Sequence, residues 1–327
     1  MAEDTMSTPT VARPSLDDEL HAATQGNVRS IGRLVSAVEN ADATVLAAIA
    51  TRKVGAPLVV GLTGPPGVGK STATDGLIAH YRAAGRTVAV LAIDPTSPLT
   101  GGAILGDRIR MLRHVKDPGV YIRSFAARRQ LGGLAETTET AIRLLAVIGF
   151  DIILVETVGI GQSEVDIARV ASTTVVLVSP RGGDGMQAVK AGVLEIADIF
   201  VVNKAELPGA EETVRDLTEA LAHRRPAPDS WRPPIVRASA ATPGGLDDLA
   251  IALEQHREWL EHHPVQPGQV RAELVRRALK DAAVDRFRRA LAVPDDAVAR
   301  VLEGVTPVDA VIDELVLLGR SSRPITL

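Results

Sequence analysis

The chain reads as an α/β fold, a mostly parallel sheet with helices on both faces and helical extensions at each end. Three observations predict it. From residue 58 to residue 238, short apolar runs of strand length alternate with amphipathic segments of helical period. The first apolar run leads into a glycine-rich loop and then a helix. Strand signals are confined to that span, and only helical periodicity flanks it.

Taken in order, Leu20 to Ala50 reads as helical. Ile31, Leu34, Val35 and Val38 share one face; Val45, Leu46 and Ile49 share another. Leu58–Leu62 is a buried parallel strand, apolar throughout and bounded by Pro57 and glycines. The next segment, Thr72–Tyr81, spaces Ala73, Leu77, Ile78 and Tyr81 on one helical face. Further strands are expected at Thr87–Ile93, Val120–Ser124, Asp151–Val155, Thr174–Val178, Ile199–Val202 and Ile235–Ala238. Helices are expected at Ala135–Ile148, Met186–Ala197, Val214–Ala222 and Leu246–Leu260. After the break at Pro264–Gly268 come helical patterns at Val270–Leu291, Asp296–Leu302 and Val308–Leu318.

The glycine-rich loop, Gly64-Pro65-Pro66-Gly67-Val68-Gly69-Lys70-Ser71, fits G-x-x-x-x-G-K-[ST], the phosphate-binding P-loop. Its glycines let backbone N–H groups turn inward into an anion-binding nest. Lys70 sets a positive charge against the β- and γ-phosphates, and the Ser71 hydroxyl is a hard oxygen ligand for Mg²⁺. The helix opening at Lys70, Ser71 and Thr72 points its positive dipole end at the phosphates. Strand, loop and helix together predict a P-loop NTPase.

Hydrolysis of a nucleotide needs a carboxylate near Mg²⁺ at the end of a neighbouring strand. Asp94 and Glu156 both end predicted strands, on the edge where ligands gather in open α/β sheets. Asp94, followed by Pro95, also suits a helix cap or turn. Glu156 ends a wholly apolar strand, which is costly without a cationic or metal partner. Gly159 would let its N–H approach a γ-phosphate.

Asn203-Lys204-Ala205-Glu206 resembles the N-K-x-D element of guanine-binding GTPases, with Glu in place of Asp. Charge and two-oxygen geometry survive, one methylene further out. Ser239-Ala240 suits the weak element that backs the guanine O6. The nucleotides expected are therefore GTP and GDP. Ras-like GTPases place a Gln directly after the switch Gly. Here Ile160 follows Gly159, so intrinsic hydrolysis should be slow and a partner or second switch should supply rate.

Composition narrows the class. A formal net charge of -4 implies no basic face, and 2% aromatic residues leave few base-stacking platforms, so no nucleic-acid partner is expected. The chain has no Cys, which excludes disulfides, thiolate metal sites and a catalytic thiol. The polar N-terminus lacks a signal-peptide core, and the apolar runs are too short to span a membrane. A cytoplasmic protein without a membrane association is expected. The expected organisation is a disordered N-terminus over 1–15, a helical extension over 16–56, a P-loop GTPase domain over 57–263 and a helical dimerisation or partner arm over 264–327.

Several blocks together resemble the MeaB/ArgK-type GTPases, chaperones associated with methylmalonyl-CoA mutase. They are Gly61–Ser71, Asp94–Pro98, Gly101–Met111, Glu156–Glu164 and the run from Gly183 through Gln187, Lys190, Gly192 and Glu195 to Lys204. The glycine-rich block and the Q-x-x-K-x-G run are more specific than the P-loop. The resemblance covers about residues 58–240. It implies a homodimeric, Mg²⁺-dependent GTPase that binds an adenosylcobalamin-dependent acyl-CoA mutase, gates cofactor loading and protects the mutase from inactivation. By matching positions it implies Lys70 and Ser71 on phosphate and Mg²⁺, and Asp94, Asp107 and Glu156 as the acidic metal and water-positioning set. It implies a switch over Gly159–Glu164 and a further one over Asp184–Lys190, with Gln187 and Lys190 as effectors. Without it, Lys190 reads as an exposed helix lysine. Glu206, Arg181 and the C-terminal helices depart from the family pattern. Two other readings share the fold: a nickel-insertion GTPase and an amino-acid transport-associated kinase. The first usually needs Cys or His clusters, and the only adjacent His pair is His262-His263. The second needs a substrate pocket and general base, for which no distinct candidate stands out.

Overall fold

The computed structural model describes residues 14–95, 113–127, 133–157, 163–180, 194–222, 230–263, 300 and 303. The chain forms two compact units, Met1–Arg271 and Ala272–Leu327. Nearly all of the second lies outside the described residues, and with it the helical patterns expected beyond residue 264.

In the first unit the chain runs α1 (Leu16–Thr24), α2 (Val28–Glu39), α3 (Ala43–Thr51), β1 (Leu58–Thr63), α4 (Lys70–Ala83), β2 (Val88–Pro95) and β3 (Val120–Ala127). It continues through α5 (Gly133–Ile148), β4 (Ile152–Thr157), α6 (Ser163–Val170), β5 (Thr173–Val178) and the short α7 (Leu194–Ile196). Last come β6 (Ile199–Asn203), α8 (Ala210–Ala222), β7 (Ile235–Ala238) and α9 (Asp247–His262). The seven strands form one sheet in the order β3-β2-β4-β1-β5-β6-β7. Every pairing is parallel.

The sheet is buried on both faces, which explains why β1, β4, β5 and β6 show no exposed position. Alternate residues still go to opposite sides. On one side Val59, Ile153 and Val155 meet Val35, Ile49, Leu144 and Leu145 from the flanking helices. On the other, Val60, Leu62, Leu154 and Val201 meet Leu77 and Ile78 of α4 and Leu249 and Leu253 of α9. Each buried Leu or Ile of this kind contributes about 1.5–3 kcal/mol. The α4 face expected from spacing, Ala73, Leu77, Ile78 and Tyr81, is buried as a whole.

The helical stretch expected from Leu20 to Ala50 is corrected to three helices. The Asn27 side chain accepts the N–H groups of Arg29 and Ser30 at 3.1 Å each, and Asp42 accepts those of Thr44 and Val45 at 2.9 and 3.2 Å. These side chains compete with the helical backbone and restart the helix behind them. The two apolar faces survive the breaks: Ile31, Leu34, Val35, Val38, Val45 and Ile49 are buried, and Leu46 packs against them half-buried. Helix α8 begins at Ala210, a turn before the expected Val214. Only Leu194–Ile196 of the helix expected over Met186–Ala197 falls among the helices described. Among the described residues no single helix is long and apolar enough to cross a membrane.

Candidate functional site

The carboxyl edge of β1 passes directly into the phosphate-loop sequence. Gly64 has φ +142°, and a Cβ there would be driven into the Leu177 carbonyl of β5. Gly69 has φ +101° and is the N-cap of α4, with no side chain capping the helix. A helix that opens from a glycine-rich loop turns its first N–H groups and positive dipole end toward that loop, which suits an anion. Lys70 is buried, and its Nζ donates to the carbonyls of Gly64 at 2.7 Å and Pro65 at 3.0 Å. The ammonium therefore sits within the curve of the loop rather than out in solvent.

Glu156 lies on β4 in register with Leu62 of β1 and Ala92 of β2. Sheet order thus brings it beside the root of the phosphate loop, although 85 residues separate it from Ser71. It is only 3% exposed. Burial of a carboxylate demands partners, and α4 supplies two. Ser71 Oγ donates to Oε1 at 2.6 Å, and Thr74 Oγ1 donates to Oε2 at 2.9 Å. A Ser71 hydroxyl that gives its proton to Glu156 keeps its oxygen lone pairs for a cation. This oxygen-only donor set fits Mg²⁺, which takes one or two protein oxygens together with substrate phosphate.

Asp94 lies on β2 two residues beyond Ala92 and pairs with Ala126 of β3, so its backbone is at the same sheet edge. Its side chain, and Asp107, Gly159, Gln187 and Lys190 altogether, lie outside the described residues.

The third part of the site is the turn after β6. Asn203 is buried, and its Nδ2 donates to the Val68 carbonyl at 2.8 Å while its Oδ1 accepts the Ala240 N–H at 3.1 Å. Lys204 occupies the left-handed region at φ +58°, and its Nζ donates to the Gly67 carbonyl at 2.9 Å. The exposed carboxylate of Glu206 accepts from Ser239 Oγ at 2.6 Å. That bond, then the glutamate's own N–H and the Lys204 charge, holds the Glu206 carboxyl below the usual glutamate range. An open cleft of about 610 Å³ lies here, lined in part by Ala205, Glu206, Ala238, Ser239 and Gly245.

The structure thus brings Gly64–Thr72, Glu156, Asn203, Lys204, Glu206, Ser239 and Ala240 to one edge of the sheet. Two features were not expected from sequence. Thr74 joins Glu156; the available signal was its spacing of three from Ser71, which puts both hydroxyls on one helix face. Asp75 of α4 also holds the chain ahead of β3, accepting from Arg113 Nε at 2.8 Å and lying 3.0 Å from His114 Nε2. No local pattern marks that pairing.

Comparison with known proteins agrees with this geometry. The profile of the family described as methylmalonyl Co-A mutase-associated GTPase MeaB matches residues 31–292. A Pyrococcus abyssi protein named "Putative GTPase" is 48% identical over 252 residues, covering 75% of this chain and 77% of that protein. The mouse protein named "Methylmalonic aciduria type A homolog, mitochondrial" is 37% identical over 227 residues, covering 68% of this chain and 54% of that one. Among solved structures, an LAO/AO transport system kinase superposes with a TM-score of 0.69 at 23% identity, covering 95% of this chain and 99% of the other. That likeness is one of fold.

Proposed function

This chain belongs to the methylmalonyl-CoA mutase-associated GTPase (MeaB) family, and on that premise we propose that it is a Mg²⁺-dependent GTP hydrolase. In this reading it acts as a chaperone of an adenosylcobalamin-dependent acyl-CoA mutase, gating cofactor loading and protecting the mutase from inactivation. The mutase enters through the family's name, and the mouse relative's name points the same way.

The observation that carries the nucleotide assignment is the double attachment of Asn203. It joins the loop that bears Glu206 to the phosphate loop at Val68 and to the Ser239-Ala240 turn at Ala240. A base held at Glu206 and phosphates held at Gly64–Thr72 therefore share one rigid frame. The ionised Glu206 accepts from a ring N–H and an exocyclic amine, which guanine offers and adenine does not.

The chain's own groups then divide the work. The first turn of α4 and Lys70 bind the phosphates. Glu156, fixed by Ser71 and Thr74, holds the Ser71 hydroxyl in the orientation that a hard cation requires. Mg²⁺, when bound, would neutralise the charge that develops on the phosphates during transfer. By the family pattern, Asp94 and Asp107 join Glu156 as the acidic metal and water-positioning set, Gly159 answers to the γ-phosphate, and Gln187 and Lys190 couple hydrolysis to the mutase. Because Ile160 stands where Ras-like enzymes carry their water-positioning Gln, turnover alone is slow. The active form is a homodimer.

Phosphate release measured with GTP and with ATP, with and without Mg²⁺, tests the hydrolase reading. Preference for ATP, or turnover independent of Mg²⁺, overturns it. Repeating the assay with an adenosylcobalamin-dependent mutase added tests the chaperone reading, which expects stimulated GTP turnover and co-elution of the two proteins. Absence of both effects overturns it.

A further inference from the structure

We propose that Thr74 is a positioning residue for the metal–nucleotide site, acting through Glu156. This rests on the Mg²⁺-dependent GTPase reading above. Thr74 is wholly buried on α4, one turn beyond Lys70. A threonine inside a helix ordinarily returns its proton to the carbonyl four residues back. Here that carbonyl, of Lys70, is 3.1 Å away, while Glu156 Oε2 is 2.9 Å away. One hydroxyl proton cannot serve both. The helical ladder already uses the Lys70 carbonyl, and a bond to a carboxylate is about twice as strong as a neutral one. The proton therefore goes to Glu156.

The consequence falls on Ser71. A glutamate has one more rotatable bond than an aspartate, and its carboxylate can turn unless both oxygens are held. Thr74 fixes Oε2, so Oε1 stays 2.6 Å from Ser71 Oγ and keeps accepting the Ser71 proton. Without the Thr74 hydroxyl, Oε2 loses a buried donor, at a cost in free energy that loosens the hold on the carboxylate. Ser71 then loses the fixed acceptor that orients its lone pairs. Thr74 touches neither phosphate nor cation. Its effect is on the geometry of the group that does.

The test is Mn²⁺ affinity of the GDP complex, read by electron paramagnetic resonance, for wild type, Thr74→Val and Thr74→Ser. Valine keeps the shape and removes the donor. The expected result is a loss of Mn²⁺ affinity of about 10–100-fold in Thr74→Val, with GDP affinity in the absence of divalent cation unchanged. Thr74→Ser restores Mn²⁺ affinity to within about threefold of wild type. If Thr74→Val does not fold, Thr74→Cys, a weak donor of similar size, takes its place. A variant that melts lower yet binds Mn²⁺ like wild type overturns the proposal, because the hydroxyl then serves stability alone. Failure of serine to rescue overturns it as well. Wild-type protein that binds no GDP-dependent Mn²⁺ overturns the underlying function reading instead.

Discussion

The Asn203 side-chain amide donates to the Val68 carbonyl across 135 residues of sequence, at 2.8 Å. Its other end accepts the Ala240 N–H. One buried amide therefore locks three loops that follow β1, β6 and β7. Asn203→Ala removes both bonds and leaves Val68 and Ala240 with unsatisfied backbone groups, each worth about 1–3 kcal/mol when buried. We expect a fall in melting temperature together with a drop in GDP affinity of at least about tenfold, equivalent to ~1.4 kcal/mol. Calorimetric melting and GDP titration measure the two. A variant that melts lower yet holds GDP with wild-type affinity contradicts the locking role.

Glu206 and Ser239 make a second pair, at the solvent-facing end of the same turn. The Ser239 hydroxyl is the main cause of the lowered Glu206 carboxyl, so the carboxylate stays charged to lower pH than an ordinary glutamate. The sign follows directly. Binding that needs the charged form is present at neutral pH and is lost as pH falls through the lowered value. Ser239→Ala should move the acid limb of the GDP-binding profile upward, toward the ordinary glutamate value of about 4.3. Because Glu206 is exposed, the melting temperature at neutral pH should hardly change. An acid limb at the same pH in both proteins removes the assigned role of Ser239.

Much of this arrangement was legible in sequence because it is local. The P-loop pattern fixes loop and helix within eight residues, and wholly apolar runs announce strands buried on both faces. Glu156 stood out because a carboxylate closing such a run demands a partner. What the sequence did not show is which partner, since Thr74 meets Glu156 only through the parallel pairing of β1 with β4. The same holds for Asn203 on Val68, a contact created by the sheet order β1-β5-β6. The helix breaks at Asn27 and Asp42 are a different failure. The cap residues were visible, but apolar periodicity on either side outweighed them.

Gly69 tests how tightly the two loops are packed. It combines φ +101° with a hydrogen position that, as Cβ, would collide with the Asn203 amide nitrogen. An alanine there meets both a backbone penalty of about 1–2 kcal/mol and displacement of the Asn203 bridge. Gly67, also at positive φ, faces open space. Gly69→Ala should therefore lose far more GDP affinity than Gly67→Ala, although both sit in the same loop. Equal losses at the two positions would show that backbone conformation alone matters.

The connection into β3 is held to the P-loop helix by charge, and this predicts an acid-dependent stability. Arg82 of α4 grips Asp117 with two bonds of 2.9 Å, and Asp117 also accepts the Gly119 N–H at 2.8 Å. The guanidinium first, and the Gly119 N–H second, hold the Asp117 carboxyl below the usual aspartate range. The Arg82 guanidinium is correspondingly pushed up. A carboxyl lowered by folding stabilises the protein fully above its unfolded value, near 3.9, and that contribution is lost as pH falls through the folded value. Both side chains remain partly exposed, so solvent screens the pair. Asp117→Asn should lower stability at pH 7 by about 1–2 kcal/mol, the scale of hydrogen bonds to a charged group. The difference between variant and wild type should shrink as pH drops below about 4, because the wild-type carboxyl then also becomes neutral. Urea unfolding at pH 7 and at successively lower pH measures it. A gap that stays constant across that range would assign the effect to the Gly119 cap geometry rather than to the charge on Asp117.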